Sequence, residues 1–400
     1  MRLLSRVVIG PRIVPLAALF VGLAPLSTDV NLPLLPQVAG TFGVGGATSA
    51  LTITAAFMGL AVGQLIAGPV SDQRGRRSVL LTGLILFSVA TFLSALAPSI
   101  VLLILIRFLA GVCAAFSFVV ARAMVADSLH ETDLARGYAL MGAIFALTPV
   151  AAPVIGGTLS IWLAWRGVYI VLAGIGLLLW SIAYVKVPET LKTHERTAVG
   201  FRHAASDLVG LLKQRKFMAY VLMLGCTGGM LFSYIASSAF VLEGRFGFTP
   251  TAFSAVFALN ALGMFVAAVL GRRAVRRFGP DRLLWCGQGA ALLGSALVLG
   301  GLVSGMLPVI LLGFAVAVAM HTWITTNSMA LGIEQAPTGR GSASALLGIA
   351  SFAVGGALGF IGGMGGATLG VMMVLFTVAG LAIHATMASG VVQPSEATSA

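Results

Sequence analysis

The sequence predicts an all-α integral membrane protein whose twelve transmembrane helices form two six-helix bundles related by pseudo-two-fold symmetry. Composition is the first reason. Of 400 residues, 58% are hydrophobic and 9% are charged, whereas a soluble domain carries about 25% charged residues. The second reason is that the apolar residues form segments long enough to cross ~30 Å of hydrocarbon. The third is a polar interval at 188–216, which separates two halves of similar length.

The apolar segments give the predicted spans in chain order. In the first half they lie at about 13–35, 48–70, 78–97, 101–125, 135–161 and 166–186, and in the second half at about 217–242, 250–271, 283–303, 307–331, 342–364 and 367–389. The predicted domains are an N-terminal bundle at 1–187, a cytoplasmic linker at 188–216 and a C-terminal bundle at 217–400. Twelve spans place both termini on the same side of the membrane.

The positive charges predict which side that is. With the N-terminus in the cytoplasm, 20 of the 24 lysines and arginines fall in cytoplasmic segments. Arg166 and Arg245 lie in outside loops, and Arg107 and Arg122 lie within the fourth span. This distribution satisfies the positive-inside rule, so we expect both termini in the cytoplasm. Because topology accounts for the net charge of +12, the charge implies no nucleic-acid partner.

A charged stretch at 68–77, Gly-Pro-Val-Ser-Asp-Gln-Arg-Gly-Arg-Arg, separates the second and third spans. An unpaired charge in hydrocarbon costs at least ~2.5–3.5 kcal/mol. We therefore expect a tight, water-facing hairpin between the two spans. Gly75 would permit the turn, and Arg76 and Arg77 would hold it on the cytoplasmic side.

This stretch resembles the G-x-x-x-D-[RK]-x-G-[RK]-[RK] loop between helices 2 and 3 of major facilitator superfamily transporters. Gln73 departs from the pattern, because the family usually has a base there. The matching positions are Gly68, Asp72, Gly75, Arg76 and Arg77. A degraded copy at 272–279 places Arg276 where the first half has Asp72. The resemblance implies two halves that rock about a substrate site near the membrane midplane.

The resemblance also implies a role for Asp72 that does not involve substrate. In the family, this aspartate latches the cytoplasmic gate against the N-terminus of helix 11 and a base on helix 4. The corresponding positions here are about 341–344, where the helix dipole is positive, and Arg122. We therefore predict a gating latch that comprises Asp72, Gly75, Arg76, Arg77 and Arg122.

Asp29 is the one carboxylate deep within a predicted span, because the other acidic residues fall in loops or at helix ends. A lone intramembrane carboxylate is costly and by default faces a cavity or a partner. A site that alternates between an apolar environment and contact with a base can bind a proton on one side and release it on the other. We predict this coupling role for Asp29. The alternative is that it only marks the outer end of its helix.

Arg107 is the matching base in the fourth span. A guanidinium group stays charged at physiological pH, so it requires a carboxylate, carbonyl oxygens or water. Its predicted depth is comparable with that of Asp29, which favours a pair without requiring one. The segment resembles the helix-4 motif R-x-x-x-G of proton-coupled facilitators at Arg107 and Gly111, and this resemblance implies a role in proton coupling.

Prolines and glycines interrupt the fifth span, where Pro149 is followed by Pro153, Gly156 and Gly157. Prolines remove helix hydrogen bonds, and glycines allow a neighbouring helix to approach closely. The stretch resembles the helix-5 antiporter signature G-P-x-x-G-G, with Ala152 in place of the first glycine. The family has this signature in exporters and not in uptake symporters, so it implies export.

Stretches at 25–33, 188–190 and 326–330 extend the resemblance over the whole chain. They resemble the Bcr/CflA (bicyclomycin-resistance type) branch of the drug:proton antiporters. This implies a monomeric exporter of drug-like small molecules or related metabolites in a bacterial inner membrane. Protons would be the coupling ion, with no other cofactor.

Polar and aromatic residues inside spans are the candidates for the substrate cavity. His321 can titrate near neutral pH, although a single membrane histidine also serves as a hydrogen-bonding group between helices. The two aromatic rings suit ordinary packing equally well. The predicted cavity residues are Asn31, Met141, Tyr234, Asn260, His321, Trp323 and Asn327.

Other classes of protein lack their signatures in this sequence. No lysine follows a glycine, which excludes the phosphate-binding G-x-x-x-x-G-K-[ST] loop of an ATP-driven pump. The five histidines are scattered without H-E-x-x-H, and the three cysteines lie in apolar runs, so neither an enzyme nor a metal site is expected. Two alternatives remain, an exporter of a metabolite or small peptide and an uptake symporter of the same fold.

Overall fold

The computed structural model describes residues 10–129, 131–191, 210–335, 340–358, 361, 364 and 367–389. Every secondary-structure element in these ranges is helical. The first six α-helices are α1 (Gly10–Asp29), α2 (Leu35–Phe42), α3 (Gly46–Arg74), α4 (Arg76–Ala95), α5 (Ile100–Ser128) and α6 (Glu131–Lys186). They are followed by α7 (Arg215–Ala239), α8 (Pro250–Phe278), α9 (Pro280–Ser304), α10 (Leu307–Glu334), α11 (Arg340–Leu358) and α12 (Thr368–Ser389). A 3₁₀-helix (Leu32–Leu34) joins α1 to α2, and a π-helix (Phe240–Arg245) follows α7.

Ten stretches of the described chain are helices long and apolar enough to cross a membrane. The structure thus confirms an all-helical membrane protein. The ten helices found in the described chain differ from the twelve predicted spans for two reasons. The fifth and sixth predicted spans are joined in α6, where Ala164 (φ 49°, ψ 178°) is the non-helical residue between them. The eleventh predicted span corresponds to α11, which is not among the ten.

The first predicted span is longer and more broken than expected. It passes from α1 through the 3₁₀-helix into α2, and the residues between α1 and the 3₁₀-helix are Val30 and Asn31. Pro25 lies within α1, and Pro33 lies in the first turn of the 3₁₀-helix. Because proline cannot donate a backbone hydrogen bond, regular helix is not maintained through this region. The break leaves Asp29 at the end of α1.

The charged stretch at 68–77 is also more helical than expected. Helix α3 continues to Arg74 and α4 begins at Arg76, so the turn is confined to Gly75. Its φ of 95° and ψ of 149° lie in a region that side chains with a Cβ rarely adopt. The turn therefore needs this glycine, and Asp72 lies on the last turn of α3 and not in a loop.

The described chain divides into two compact units. The first comprises Met1–His203, Ile235–Leu262 and Phe360–Gly365, and the second comprises Ala204–Tyr234, Gly263–Gly359 and Gly366–Ala400. The division into bundles at 1–187 and 217–400 stays a prediction. Most of the predicted linker lies outside the described residues.

Small residues bring helices into backbone contact within the first unit. A Cβ at Gly59 of α3 would overlap the carbonyl oxygen of Phe108, and a Cβ at Gly111 of α5 would overlap that of Ala56. Close approach of this kind is how membrane helices associate, because lipid gives them no hydrophobic drive to do so. The α3–α5 contact fixes the position of α5, which carries Arg107.

Candidate functional site

The centre of the first unit contains a buried cation at the break after α1. Arg107 of α5 is 0% exposed, and its Nη2 atom donates a 2.8 Å hydrogen bond to the carbonyl oxygen of Ser27. Asn31 Nδ2 donates to the same carbonyl oxygen at 2.5 Å. The backbone N–H of Asn31 is directed elsewhere, to the carbonyl oxygen of Thr28 at 3.2 Å. The broken helix therefore leaves the Ser27 oxygen free to accept from side chains.

The rest of the guanidinium group has weaker contacts. Its Cζ atom lies 5.3 Å from the centroid of the Tyr169 ring, within the range of a cation–π interaction. Its Nε and Nη1 atoms are buried, and they have no hydrogen-bond partner among the described residues. A buried cation with unsatisfied donors is costly. These two donors are therefore available for an acceptor that approaches them.

Asp29 lies two residues after Ser27 and is 6% exposed. Its Oδ1 atom accepts a 3.0 Å hydrogen bond from the Thr28 hydroxyl group. Within the described chain, Asp29 and Arg107 form no ion pair. The structure thus brings the two predicted coupling residues to the same helix break, and the arginine contacts the backbone beside the carboxyl group.

The glycines and proline of the fifth predicted span contact this same region. A Cβ at Gly156 would overlap the carbonyl oxygen of Val30, the residue after Asp29, so α6 approaches the break at backbone distance. At Gly157 a Cβ would overlap the hydroxyl oxygen of Ser254 in α8. That hydroxyl group donates to the carbonyl oxygen of Pro153 at 2.7 Å. The oxygen of Pro153 is thereby satisfied.

Pro149 lies one turn earlier in α6 and is half-buried. It is in the stretch of α6 that packs on α1, where a Cβ at Gly22 would lie 3.3 Å from Cγ2 of Ile144 and 3.4 Å from Oγ1 of Thr148. The two prolines and two glycines therefore follow one another along the segment of α6 that faces α1 and α8.

A second cluster of charges is centred on Arg76, at the start of α4. Arg76 forms ion pairs with Asp72 (2.5 Å) and with Asp127 at the end of α5 (3.0 Å), and it donates to the Ser71 hydroxyl group at 2.5 Å. Its side chain is 10% exposed. Within the predicted hairpin, the Arg76 side chain is thus largely buried, and two carboxylates replace its hydration. Gly75 supplies the turn that brings it to them.

Glu189 caps the first turn of α4. Its carboxylate accepts hydrogen bonds from the backbone N–H groups of Arg76 (2.8 Å) and Arg77 (3.3 Å), two donors that a helix start leaves without a partner. The Arg77 side chain donates to the carbonyl oxygens of Val187 (2.8 Å) and Tyr184 (2.7 Å) at the end of α6. These contacts tie the start of α4 to the end of α6.

The predicted latch also includes Arg122 and faces the predicted N-terminus of helix 11. Arg122 of α5 lies over the Phe118 ring, with its Cζ atom 5.5 Å from the centroid. The side chains at 341, 342 and 344, at the predicted helix-11 N-terminus, lie outside the described residues. The latch itself therefore stays a prediction.

The predicted cavity residues are divided between the two units. Asn31, Met141 and Asn260 belong to the first unit and are buried, whereas Tyr234, His321, Trp323 and Asn327 belong to the second. In the second unit, Trp323 Nε1 donates to the carbonyl oxygen of Ala267, and Asn327 Nδ2 donates to that of Trp323, each at 2.7 Å. The first hydrogen bond joins α10 to α8, and the second lies within α10.

The two other cavity candidates of the second unit make different kinds of contact. The Tyr234 ring packs edge-on against Phe314, with centroids 4.9 Å apart. His321 shares a 3.2 Å hydrogen bond between Nε2 and the Thr325 hydroxyl group. Its Nδ1 atom is buried, and the Thr227 backbone also interacts with the ring.

Sequence reasoning missed four residues of these sites. Ser27 and Tyr169 contact Arg107, and Asp127 and Glu189 contact Arg76. Ser27 acts through its backbone, so its side chain gives no signal. Glu189 did lie in the Pro-Glu-Thr stretch at 188–190, although its contact with the start of α4 spans more than a hundred residues.

A comparison with family models decides the family. The model of the Major Facilitator Superfamily matches residues 17–360. The chain belongs to the major facilitator superfamily. It is therefore a membrane transporter of small molecules and not an enzyme.

Curated relatives match most of this superfamily chain. An uncharacterized MFS-type transporter, YdgK of Bacillus subtilis, is 32% identical over 83% of this chain and 84% of its own length. The bicyclomycin resistance protein homolog of Haemophilus influenzae is 28% identical over 84% and 85%. The chloramphenicol resistance protein of Pseudomonas aeruginosa is 29% identical over 74% and 72%. These three relatives are bacterial proteins, and one of them is named as a transporter.

A solved structure supports the same fold. The crystal structure of a bacterial homolog to the human lysosomal transporter Spinster has a TM-score of 0.76 to this chain. The alignment covers 96% of this chain and 98% of that one, at 15% sequence identity. At this identity the match shows the fold alone.

Proposed function

We propose that this chain is a drug:proton antiporter of the Bcr/CflA type, which exports drug-like small molecules by alternating access. It would act in a bacterial inner membrane with both termini in the cytoplasm. The observation that carries the proposal is the buried guanidinium group of Arg107, held by the Ser27 carbonyl oxygen beside the buried carboxyl group of Asp29.

This arrangement suits proton exchange. A carboxyl group in apolar surroundings favours its protonated form, and one in contact with a cation favours the carboxylate. Arg107 has two buried donors without partners, close to the helix break where Asp29 lies. A shift of the guanidinium group from the Ser27 oxygen to Asp29 would release a proton, and the reverse shift would favour proton uptake. The Arg107–Ser27 contact and the Arg107–Asp29 contact would then belong to different steps of the cycle.

The direction of transport rests on the α6 signature and on the relatives. Gly156 permits α6 to contact Val30, the residue after Asp29. A movement of α6 would therefore change the surroundings of the Asp29 carboxyl group. Two of the relatives are named for resistance to bicyclomycin and chloramphenicol. The resemblance of this stretch of α6 to the antiporter signature and the names of these relatives both favour export. An exporter of a metabolite or small peptide, and an uptake symporter, are the alternatives.

The test uses inside-out membrane vesicles with an acidified interior. Bicyclomycin or a phenicol is added outside, and the pH gradient is followed with a fluorescent amine. Drug:proton exchange predicts a partial collapse of the gradient on drug addition, which Asp29→Asn abolishes. Glu334→Gln is the matched control, since it makes the same carboxyl-to-amide change at an exposed position on α10.

Each other outcome points to a distinct alternative. A collapse that persists in Asp29→Asn would retain drug:proton exchange and assign the proton to another group. The absence of a response to every drug, with the protein present in the membrane, would contradict drug export. It would favour the metabolite exporter or the symporter.

A further inference from the structure

A buried histidine of the second compact unit joins two helices through both of its ring nitrogens. His384 of α12 is 2% exposed. Its Nδ1 atom lies 2.9 Å from Oε1 of Gln288, and its Nε2 atom lies 3.1 Å from Oδ1 of Asp281. Both partners belong to α9. The histidine therefore forms a polar bridge between α12 and α9.

The amide of Gln288 can only accept from this histidine. Its Nε2 atom donates to the carbonyl oxygen of Gly380 at 3.2 Å, and it also lies 3.4 Å from the sulfur of Met223. A carbonyl oxygen cannot donate, so the amide nitrogen must face Gly380 and the amide oxygen must face His384. Nδ1 of His384 is consequently the donor and carries a hydrogen.

The other ring nitrogen also faces an acceptor. The Asp281 side chain is 64% exposed, so water solvates its charge. An ionised carboxylate only accepts hydrogen bonds. Because a neutral imidazole carries one N–H group, it can satisfy one of these two contacts. The imidazolium form carries two N–H groups and satisfies both.

An aromatic ring provides further stabilisation for the cation. The Trp285 ring stacks on His384, with ring centroids 4.2 Å apart and planes inclined by 22°. A cation over the face of an indole is attracted by the quadrupole of the ring. The histidine is thus surrounded by two acceptors and a π-face, all contributed by α9.

We propose that His384 is a proton-binding site of the second compact unit, in which the bound proton clamps α12 to α9. Protons reach it through Asp281, whose exposed carboxylate contacts Nε2 directly. Loss of the proton removes one of the two donors and so loosens the bridge. This site lies in a different compact unit from Asp29 and Arg107, and the inference does not rest on the proposed drug export.

The other titratable groups near the bridge come from three helices. Arg282 and Cys286 share α9 with Asp281, and Tyr220 of α7 interacts electrostatically with both Asp281 and Glu334 of α10. Cys226 of α7 lies beside Gly380, 3.6 Å from where a Cβ would stand. Within the described chain, Asp281 is the charged group that His384 contacts.

Trp285 supplies the readout, because a protonated imidazole quenches a stacked indole more strongly than a neutral one. The full-length protein is purified in detergent, and its tryptophan fluorescence is followed from about pH 5 to about pH 9, a range that covers histidine titration. Subtracting the same curve for Trp285→Phe isolates the contribution of Trp285. We expect that contribution to rise with pH along a single-proton curve.

Variants assign the proton. His384→Gln should abolish the titration of the Trp285 signal, while His321→Gln, the same change at a buried histidine of α10, should leave it intact. Asp281→Asn should move the midpoint down by about half a pH unit, because it removes a partly solvated negative charge that favours the imidazolium. This variant retains His384, so it tests the proposal even if His384→Gln fails to fold.

Three results would overturn the proposal. They are a Trp285 signal that does not change with pH in the unmodified protein, a titration that survives in folded His384→Gln, and a midpoint that Asp281→Asn leaves unchanged or raises. Any of them would make His384 an ordinary packing residue between α9 and α12.

Discussion

Arg107 donates its 2.8 Å hydrogen bond to the carbonyl oxygen of Ser27, two residues before Asp29 on the neighbouring helix. That oxygen is available because α1 ends at Asp29 and the backbone N–H of Asn31 turns to Thr28. The helix break therefore creates the acceptor that holds the buried cation beside the buried carboxyl group. This relationship leads to the first of four predictions.

Replacing Arg107 with lysine should lower drug-dependent proton flux about tenfold or more, with the protein still present in the membrane. A lysine retains the positive charge but lacks the planar guanidinium group with its several N–H donors. A single ammonium group would then have to replace both the hydrogen bond to Ser27 and the two buried donors, Nε and Nη1. Losing one buried hydrogen bond of a charged group costs ~1.5–3 kcal/mol, which corresponds to this factor. The measurement is the initial rate in inside-out vesicles.

Arg277→Lys provides the control for this prediction, because Arg277 is exposed at the end of α8. Its flux should equal that of the unmodified protein. Equal flux in Arg107→Lys would mean that positive charge alone suffices at this position, and that the contact with Ser27 is incidental.

Gly156→Ala should destabilise the protein by ~1–3 kcal/mol, as overpacking of a close contact does. The added Cβ would overlap the carbonyl oxygen of Val30, and backbone atoms cannot rotate away. Gly174→Ala is the matched change on the same helix, because its Cβ would meet nothing within 4 Å. It should be neutral or stabilise by up to ~1 kcal/mol through helix propensity.

Thermal unfolding of the purified proteins in detergent compares these two glycine variants. The expected order of midpoint temperatures is Gly174→Ala at or above the unmodified protein, with Gly156→Ala below both. If Gly156→Ala unfolds at the same temperature as Gly174→Ala, α6 does not contact Val30 at backbone distance.

Glu189→Ala should destabilise the protein by ~0.5–2 kcal/mol, the cost of losing a helix cap. The carboxylate accepts from two backbone N–H groups at the start of α4, where the helix dipole also favours negative charge. The stability of Glu189→Gln should lie between that of the unmodified protein and that of Glu189→Ala. Its amide oxygen still accepts one hydrogen bond, but it carries no charge. The same thermal measurement applies.

The control for the capping prediction is Glu334→Ala, because Glu334 is exposed at the end of α10 and caps no helix start. A loss of stability in Glu334→Ala as large as in Glu189→Ala would argue against a specific capping contribution.

Asp72→Asn should slow transport while leaving substrate affinity and stability nearly unchanged. Its side chain is 44% exposed, so its ion pair with Arg76 contributes less than ~1 kcal/mol. Asp127→Asn should destabilise the protein more, because that carboxylate is only 21% exposed. Binding of a radiolabelled drug and its transport rate, measured on the same vesicles, separate the two effects. A large loss of affinity in Asp72→Asn would contradict a gating role.

The sequence already predicted much of what the structure contains. Long apolar segments cannot fold as anything but helices in a bilayer, since every backbone group needs a partner there. Asp29 and Arg107 stand out for the same reason, because charges are rare in such segments. Gly75 was predicted to form a turn, and the structure has a turn there. Gly156 and Gly157 were predicted as sites of close approach between helices, and both lie against a neighbouring helix or its break.

Other features could not be read from the chain. The hairpin at 68–77 was expected to be a loop, yet only Gly75 leaves the helix, because Arg76 finds carboxylates to replace water. No local pattern links Glu189 to the start of α4, or His384 to Asp281, over about a hundred residues. Such pairs depend on how helices pack, not on neighbouring residues.

The sequence by itself determined that this protein is helical, lies in a membrane and carries the motifs of its superfamily. The free energy of placing a segment in the bilayer depends on the hydrophobicity and charge of that segment, so it can be read without knowing the neighbouring helices. Only the tertiary structure decided the partners of the buried charges. The sequence suggested a carboxylate as the partner of Arg107, but its side chain contacts a backbone oxygen and an aromatic ring. His384 contacts two acceptors, one at each ring nitrogen. A buried charge must be satisfied, but which group satisfies it depends on the neighbouring helices that reach it.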